Sequence, residues 1–216
     1  AILKASRQVD LFLADVPNAW EHKIYMIPPP EELRKQSKKI RKIAEQYIKL
    51  LLENPAAANG AEGKELLTVV NSACYEMNMW VYTESKKYLK AKKKIALIGG
   101  DHSTPLGILH ALAETSSYSI LHIDAHCDLR KAYEDFTYSH ASIMFNALKI
   151  KELTNIVQVG VRDCCQEEQN LIAKSKGRVK AFFDEDLKNE QYNGKTWSTL
   201  CDEMIVNLDK RVYISF

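Results

Sequence analysis

The stretch YSILHIDAHCDLRK, residues 118–131, starts as an apolar strand and ends in charge. Strand residues alternate between faces, so Asp124, His126 and Asp128 project the same way if the backbone stays extended through the strand end. Two carboxylates and an imidazole on one face are hard to explain as packing. Buried carboxylates without partners are costly, and a group of this kind converges on a cation or on a dense hydrogen-bond network. Cys127, lying between them, is expected to face the other way, into the core.

Working outward, the same rhythm recurs. Upstream, KIALIG leads into GGDHS at 99–103, and a helical pattern follows at 104–114. Downstream come helical spacing at 141–149, the strand NIVQVGV, a helix at 166–176, the strand VKAFF, a helix at 197–208 and the strand RVYISF. Strands alternating with helices predict an α/β fold, a three-layer α/β/α arrangement around a central, mainly parallel sheet. In such sheets ligand sites gather at the carboxyl ends of the strands. Both charged motifs fall at those ends.

Before residue 94 the pattern is helical and carries no chemistry. Leu33, Ile40, Ile43, Tyr47, Leu50 and Leu51 mark a helix from about residue 31, with Glu31 and Glu32 favouring its first turn. NPAAANGAEG at 54–63 breaks it, and a second long helix is expected over 64–88. We therefore expect one domain over 1–216, with 1–93 as a variable helical region and 94–216 as the βα core.

Composition narrows the function. With 30 basic and 28 acidic residues the formal charge is +2, which gives no electrostatic reason to expect nucleic acid or an anionic membrane as partner. No apolar run reaches the roughly 18 residues of a spanning helix, and AILKASRQVDLFLADVP lacks the apolar core of a signal peptide, so a cytoplasmic protein acting on a small molecule is expected. The five cysteines show no C-x-x-C spacing, and reduced, structural thiols are the expectation. The lysine run KKYLKAKKK at 86–94 reads as a solvated helix end.

His102, Asp124, His126 and Asp128 are thus the candidate metal ligands. Carboxylate and imidazole donors without thiolate suit Mn²⁺, and less specifically Zn²⁺, Ni²⁺, Co²⁺ or Fe²⁺. A third feature, YEDFTYSHASIM at 133–144, is a polar loop handing over to a helix that Ser139 would cap. His140 at its start is either a surface residue or a proton carrier facing the metal.

GGDHS, HIDAHCDLR, YSHASIM and QVGVRD, in this order and spacing, resemble the ureohydrolase superfamily of arginases and agmatinases, the agmatinase branch most. The likeness covers residues 95–216 and implies an arginase-like fold with two Mn²⁺ ions. By resemblance His102 and Asp128 hold one ion, His126 the other, and Asp124 bridges them. It further implies that a metal-bridging hydroxide attacks a guanidino compound to give urea and an amine. Asp128 would take the proton of the nucleophile and His140 would pass one to the leaving amine. Arg130, Tyr133, Glu134 and Asp135 are the expected substrate contacts, the acidic pair suiting a distal ammonium such as that of agmatine. Trimers or hexamers of identical chains are common in the family.

The resemblance also implies a continuation. After a strand like RVYISF the family proceeds to an Asp-x-Asp motif that completes both ions and later to a glutamate that seats the guanidinium, so a fragment of a longer enzyme is expected. The alternatives are a non-catalytic metal-binding or assembly protein of the same fold, and a hydrolase of arginine or another guanidino acid. A dinucleotide-binding domain would need G-x-G-x-x-G, which does not occur.

Overall fold

Four parallel strands form one sheet in the order β3-β2-β1-β4. They are β1 (Tyr118–Ile123), β2 (Leu153–Val161), β3 (Val179–Phe183) and β4 (Val212–Ser215). The computed structural model describes residues 2–5, 8–9 and 12–216, excepting the side chains of Ile2, Leu3 and Trp20. The opening stretch AILKASRQVDLFLADVP thus lies partly outside the described residues.

Parallel neighbours require crossovers, and helices supply them. α6 (Ile143–Ala147) lies between β1 and β2, α7 (Gln166–Lys174) between β2 and β3, and α8 (Asp184–Tyr192) and α9 (Trp197–Ile205) between β3 and β4. They cover both faces. Ile120 of β1 and Ile156 of β2 pack with Leu109 of α5 (Leu106–Ala113) and with Ile143 and Met144 of α6. On the opposite face Val157 and Val159 pack with Leu187 of α8 and with Leu200 and Met204 of α9. The result is the three-layer α/β/α arrangement expected.

One glycine adjusts the sheet where the site begins. Gly160 has φ +85, and the pairing of β2 with β3 shifts between Val159 and Val161. Strand residues two apart share a face, yet Val159 belongs to one core and Val161 to the other. The extra residue at the shift reverses the alternation, as a bulge does.

Contacts divide the chain into two compact units, Ala1–Lys42 and Ile43–Phe216. The first contains α1 (Ile2–Ala5) and a short 3-10 turn at Ala19–His22. α2 (Glu31–Glu53) follows the apolar spacing read above, and Tyr47 is its buried residue. After the single turn α3 (Pro55–Ala58), which Asn54 caps by accepting from the N–H of Ala57, α4 (Ala61–Lys90) runs for 30 residues. Among the described residues no helix is long and apolar enough to cross a membrane.

Two local expectations need correction. KIALIG at 94–99 makes no ladder, and Ile98 is 61% exposed. A strand exists only by pairing its N–H and C=O groups, and among the described residues β4, at that end of the sheet, pairs with β1 alone. In the other direction, α8 was not anticipated. Only Leu187 of that helix is buried, so there is no apolar period to read, although Asp184, Glu185 and Asp186 in its first turn favour the helix dipole.

α4 and α5 meet at Gly107. A Cβ there would lie 2.3 Å from the carbonyl oxygen of Asn78 and 2.7 Å from the amide nitrogen of Tyr82, both backbone atoms. Gly107→Ala should therefore destabilise the chain by about 1–3 kcal/mol, because two helix backbones must move apart. Urea denaturation with an unchanged m-value would show it, and a neutral result would mean that α5 shifts freely on α4.

Candidate metal centre

β1 ends at Ile123, and the donors that follow sit on a loop rather than on extended strand. Asp128 has φ 53, in the left-handed region. Alternation along a continuing strand therefore does not aim these side chains; a set of specific hydrogen bonds does. The N–H of Asp124 donates to Val159 O, and the N–H groups of Arg162 and Asp163 both donate to Ala125 O. Asp128 O accepts from the N–H groups of Met144 and Phe145 at the start of α6. Leu129 N–H donates to Glu168 Oε1 at 2.9 Å.

Glu168 is 4% exposed and uses both oxygens, since Oε2 accepts from the N–H of Cys165 at 3.0 Å. One buried carboxylate thus caps α7 and holds the ligand loop. The capping-box spacing of Cys165 and Glu168 was a readable signal for the first role and gave none for the second. Next to it Cys127, fully buried, brings its Sγ to 3.0 Å from that of Cys164. The thiols of all five cysteines are free.

The structure gathers His102, His122, Asp124 and Asp128, whose ligand atoms all lie within 4.8 Å of one another. His102 Nδ1 is 2.8 Å from Asp128 Oδ2 and 3.2 Å from Asp124 Oδ2. Its Nε2 is 2.7 Å from Ser215 Oγ at the end of β4. The turn presenting His102 is locked by Asp101, whose Oδ1 accepts from the backbone N–H and the hydroxyl of Ser103. Gly99 is required there, because a Cβ would fall 2.4 Å from Thr104 Oγ1.

His126 stands differently. Its side chain is 60% exposed, with Nδ1 3.1 Å from Asp124 Oδ1 and Nε2 3.9 Å from Asp163 Oδ2. It lies on the rim, joined to the cluster through Asp124. Sequence reading missed His122 and Ser215. His122 precedes Asp124 by two and belongs to the same alternation, which was the available signal.

Charge explains what the donor set wants. Burial pushes the Asp124 carboxyl up, but the His122 imidazole and the N–H of His126 outweigh it and hold the group well below the usual carboxylate range. Burial opposes protonation of His102, whereas Asp128 and Asp124 more than compensate, so its pKa is raised. Ionised carboxylates facing one imidazole nitrogen need a proton or a cation among them. The residues therefore fit a divalent ion held by oxygen and nitrogen donors.

Further along the chain, residues 133–136 form a two-residue turn in which Tyr133 and Phe136 exchange backbone hydrogen bonds. Glu134 has φ 48 and Asp135 φ 61, the pattern of a type I′ turn, which Asp tolerates and Glu rarely adopts. Tyr47 donates its hydroxyl to Asp135 Oδ2 at 2.6 Å and packs edge-on against Phe136. Asp135 is thus an anchor of the turn. Arg130 lies over the Tyr133 ring at 5.6 Å, and the exposed imidazole of His140 also packs against that ring. Ser139 caps the turn at His140–Ser142 by accepting from the N–H of Ala141.

An α/β protein with a carboxylate and imidazole cluster suited to a cation at the carboxyl ends of its parallel strands is the class these features define. The sequence model of the arginase family matches residues 29–216, and the chain belongs to that family. It is 30% identical over 206 residues to an N(1)-aminopropylagmatine ureohydrolase of Thermus thermophilus, covering 90% of this chain and 67% of the relative. Proclavaminate amidinohydrolase of Streptomyces clavuligerus is 30% identical over 99 residues, 43% of this chain and 32% of that one. The fold is similar to agmatine ureohydrolase of Thermoplasma volcanium, with TM-score 0.53 and 24% identity over 65% of this chain and 45% of that chain. Arginase of Bacillus cereus gives TM-score 0.54 and 18% identity over 68% and 54%. The chain thus spans about half the length of these solved enzymes.

In metal-free protein the raised pKa of His102 links stability to pH. The imidazolium pairing with Asp124 and Asp128 contributes in full below 6.5, the ordinary histidine value, and is lost as pH rises through the raised folded value. Chelator-treated protein should melt at a higher temperature below that window than above it. His102→Gln should flatten the difference, and an unchanged pH profile in that variant would refute the pairing.

Proposed function

We propose that this chain carries part of the metal site of a manganese-dependent guanidine hydrolase that converts an agmatine-like substrate and water to urea and a primary amine. The observation that supports it most is His102 Nδ1 set against the carboxylates of Asp124 and Asp128 at the strand ends. Of two cations, His102 and Asp128 would hold one and His126, on the rim, the other, with Asp124 serving both. Such oxygen and imidazole donors suit Mn²⁺. When bound, the cation supplies a water acidified enough to attack at neutral pH.

The protein's own part is to place charge and move protons. Asp128, 4% exposed and fixed by its backbone turn, orients the attacking water and accepts its proton. His140, exposed beside Tyr133, can exchange with solvent and delivers a proton to the departing nitrogen, without which the tetrahedral adduct does not collapse to the amine. Arg130, Tyr133, Glu134 and Asp135 form the substrate side. With Asp135 held by Tyr47, Glu134 is the carboxylate that meets the distal ammonium. A relative named as an aminopropylagmatine ureohydrolase supports a substrate with such a cationic tail. A cytoplasmic homo-oligomer, trimer or hexamer, acting on a small molecule without nucleic acid or membrane, belongs to the same proposal.

The test is urea release from agmatine in the full-length protein with Mn²⁺, abolished by chelation and restored by manganese. Asp128→Asn should lower kcat by about a hundredfold or more while the fold is kept. Manganese uptake without urea release from agmatine or arginine would leave a binding protein and end the hydrolase reading. Glu134→Lys should raise KM for agmatine severalfold and leave arginine less affected; an unchanged ratio would remove Glu134 from recognition.

A further inference from the structure

His122 and Gln158 face each other across the parallel pairing of β1 and β2, and both are fully buried. Gln158 Nε2 lies 2.6 Å from the carbonyl oxygen of Cys127 and 3.0 Å from His122 Nδ1. A backbone carbonyl only accepts, so the atom facing it is the amide nitrogen; the reverse orientation would set two oxygens against each other. The second hydrogen of that NH₂ then points to His122 Nδ1. A ring nitrogen that accepts must carry a lone pair, and a neutral imidazole with its lone pair on Nδ1 has its proton on Nε2. His122 Nε2 makes no ordinary hydrogen bond, and it lies 3.5 Å from Asp124 Oδ2 and 4.0 Å from Asp128 Oδ2.

We infer that Gln158 fixes His122 in the Nε2–H tautomer, so that His122 is a positioning residue that donates toward the Asp124 and Asp128 carboxylates and is not a cation ligand. By position alone His122 counts among the candidate donors, because its Nε2 falls within the same 4.8 Å group. The proton that Gln158 assigns to Nε2 removes it from that set. What it adds instead is a fixed N–H aimed at the oxygens that face His102, while Asp124 Oδ1 is held separately by the N–H of His126 at 2.9 Å. Asp124 Oδ1 thus has a protein donor and Oδ2 faces a second N–H 3.5 Å away, so the carboxylate is oriented before any cation arrives. The carbonyl of Cys127 passes this constraint back to the ligand loop. The functional consequence rests on the metal-hydrolase reading; the tautomer does not.

The measurement is a long-range proton–nitrogen correlation spectrum of the full chain with isotopically labelled histidine, first metal-free and then with Zn²⁺ as a diamagnetic cation. His122 should show a pyridine-like Nδ1 and a pyrrole-like Nε2 in both states. A pyridine-like Nε2, or an Nε2 that loses its proton as Zn²⁺ binds, would make His122 a ligand and overturn the inference. Gln158→Glu, which replaces the donor at Nδ1 by an acceptor, should move a proton onto Nδ1. His122→Phe should weaken Mn²⁺ binding about tenfold at unchanged stoichiometry, the size expected when a group that orients a ligand is lost. Reduced stoichiometry in that variant would count against the positioning role. If either variant fails to fold, the spectrum of the unaltered chain decides alone. A chain that took up no cation would sink the hydrolase reading and leave the tautomer measurement intact.

Discussion

Asp128, on the loop after β1, takes a left-handed turn of the backbone, with its carbonyl on the first N–H groups of α6 and its carboxylate 2.8 Å from His102. Much of the centre hangs on that turn. An L-residue adopts this conformation at some cost, which the surroundings must offset. Here the offset comes from backbone hydrogen bonds to Met144 and Phe145 and from Glu168, which grips the next N–H. The carboxylate is therefore aimed by the loop rather than by strand pleating. The cluster rests on three chain segments that meet only when the sheet is assembled: residues 101–103, the end of β1 and the end of β4, whose Ser215 hydroxyl contacts His102.

How far the sequence revealed this depends on which interaction carries each element. α4 and the central strands bury residues at regular spacing, and α2 half-buries Leu33, Ile40, Ile43, Leu50 and Leu51 around the buried Tyr47, so apolar periodicity makes them legible. KIALIG has the composition of a strand, but strand formation needs a partner, and composition does not say whether one is present. α8 is the converse case: it forms on propensity and a favourable acidic first turn with one buried residue, which leaves little periodic signal. Asp124 and Asp128 were picked out because buried carboxylates demand a reason, and the structure sets both against His102. The proposed reason for their common direction, an extended backbone, was a different matter, since a positive φ at an aspartate is a tertiary outcome. His126, chosen on the same alternation, stands on the rim. His122 shares the alternation of Asp124 but lies inside an apolar strand, and only its neighbours in the fold give it a role.

The same contrast runs through the loop at 133–136. An acidic pair in a polar segment suggests a binding surface, and the sequence offers no means to separate its two members. The structure does: Asp135 occupies a turn position it tolerates and is fixed by Tyr47, while Glu134 holds a conformation that glutamate rarely takes. A strained residue is a better candidate for recognition than a relaxed one tied to a helix.

The buried pair of His122 and Gln158 has a consequence for the alignment of the sheet. Parallel strands rich in valine and isoleucine can slide, because one apolar neighbour serves nearly as well as the next. If β1 moved by one residue along β2, His122 would stand opposite Val157 or Val159, and an imidazole and an amide would be stranded in an apolar interior. The polar pair thus acts as a registration mark that penalises every slipped pairing. It stands two residues before Asp124, whose own N–H reaches Val159 O only in this register. The fidelity of strand pairing and the placement of the first carboxylate are therefore one requirement, met by a single cross-strand contact.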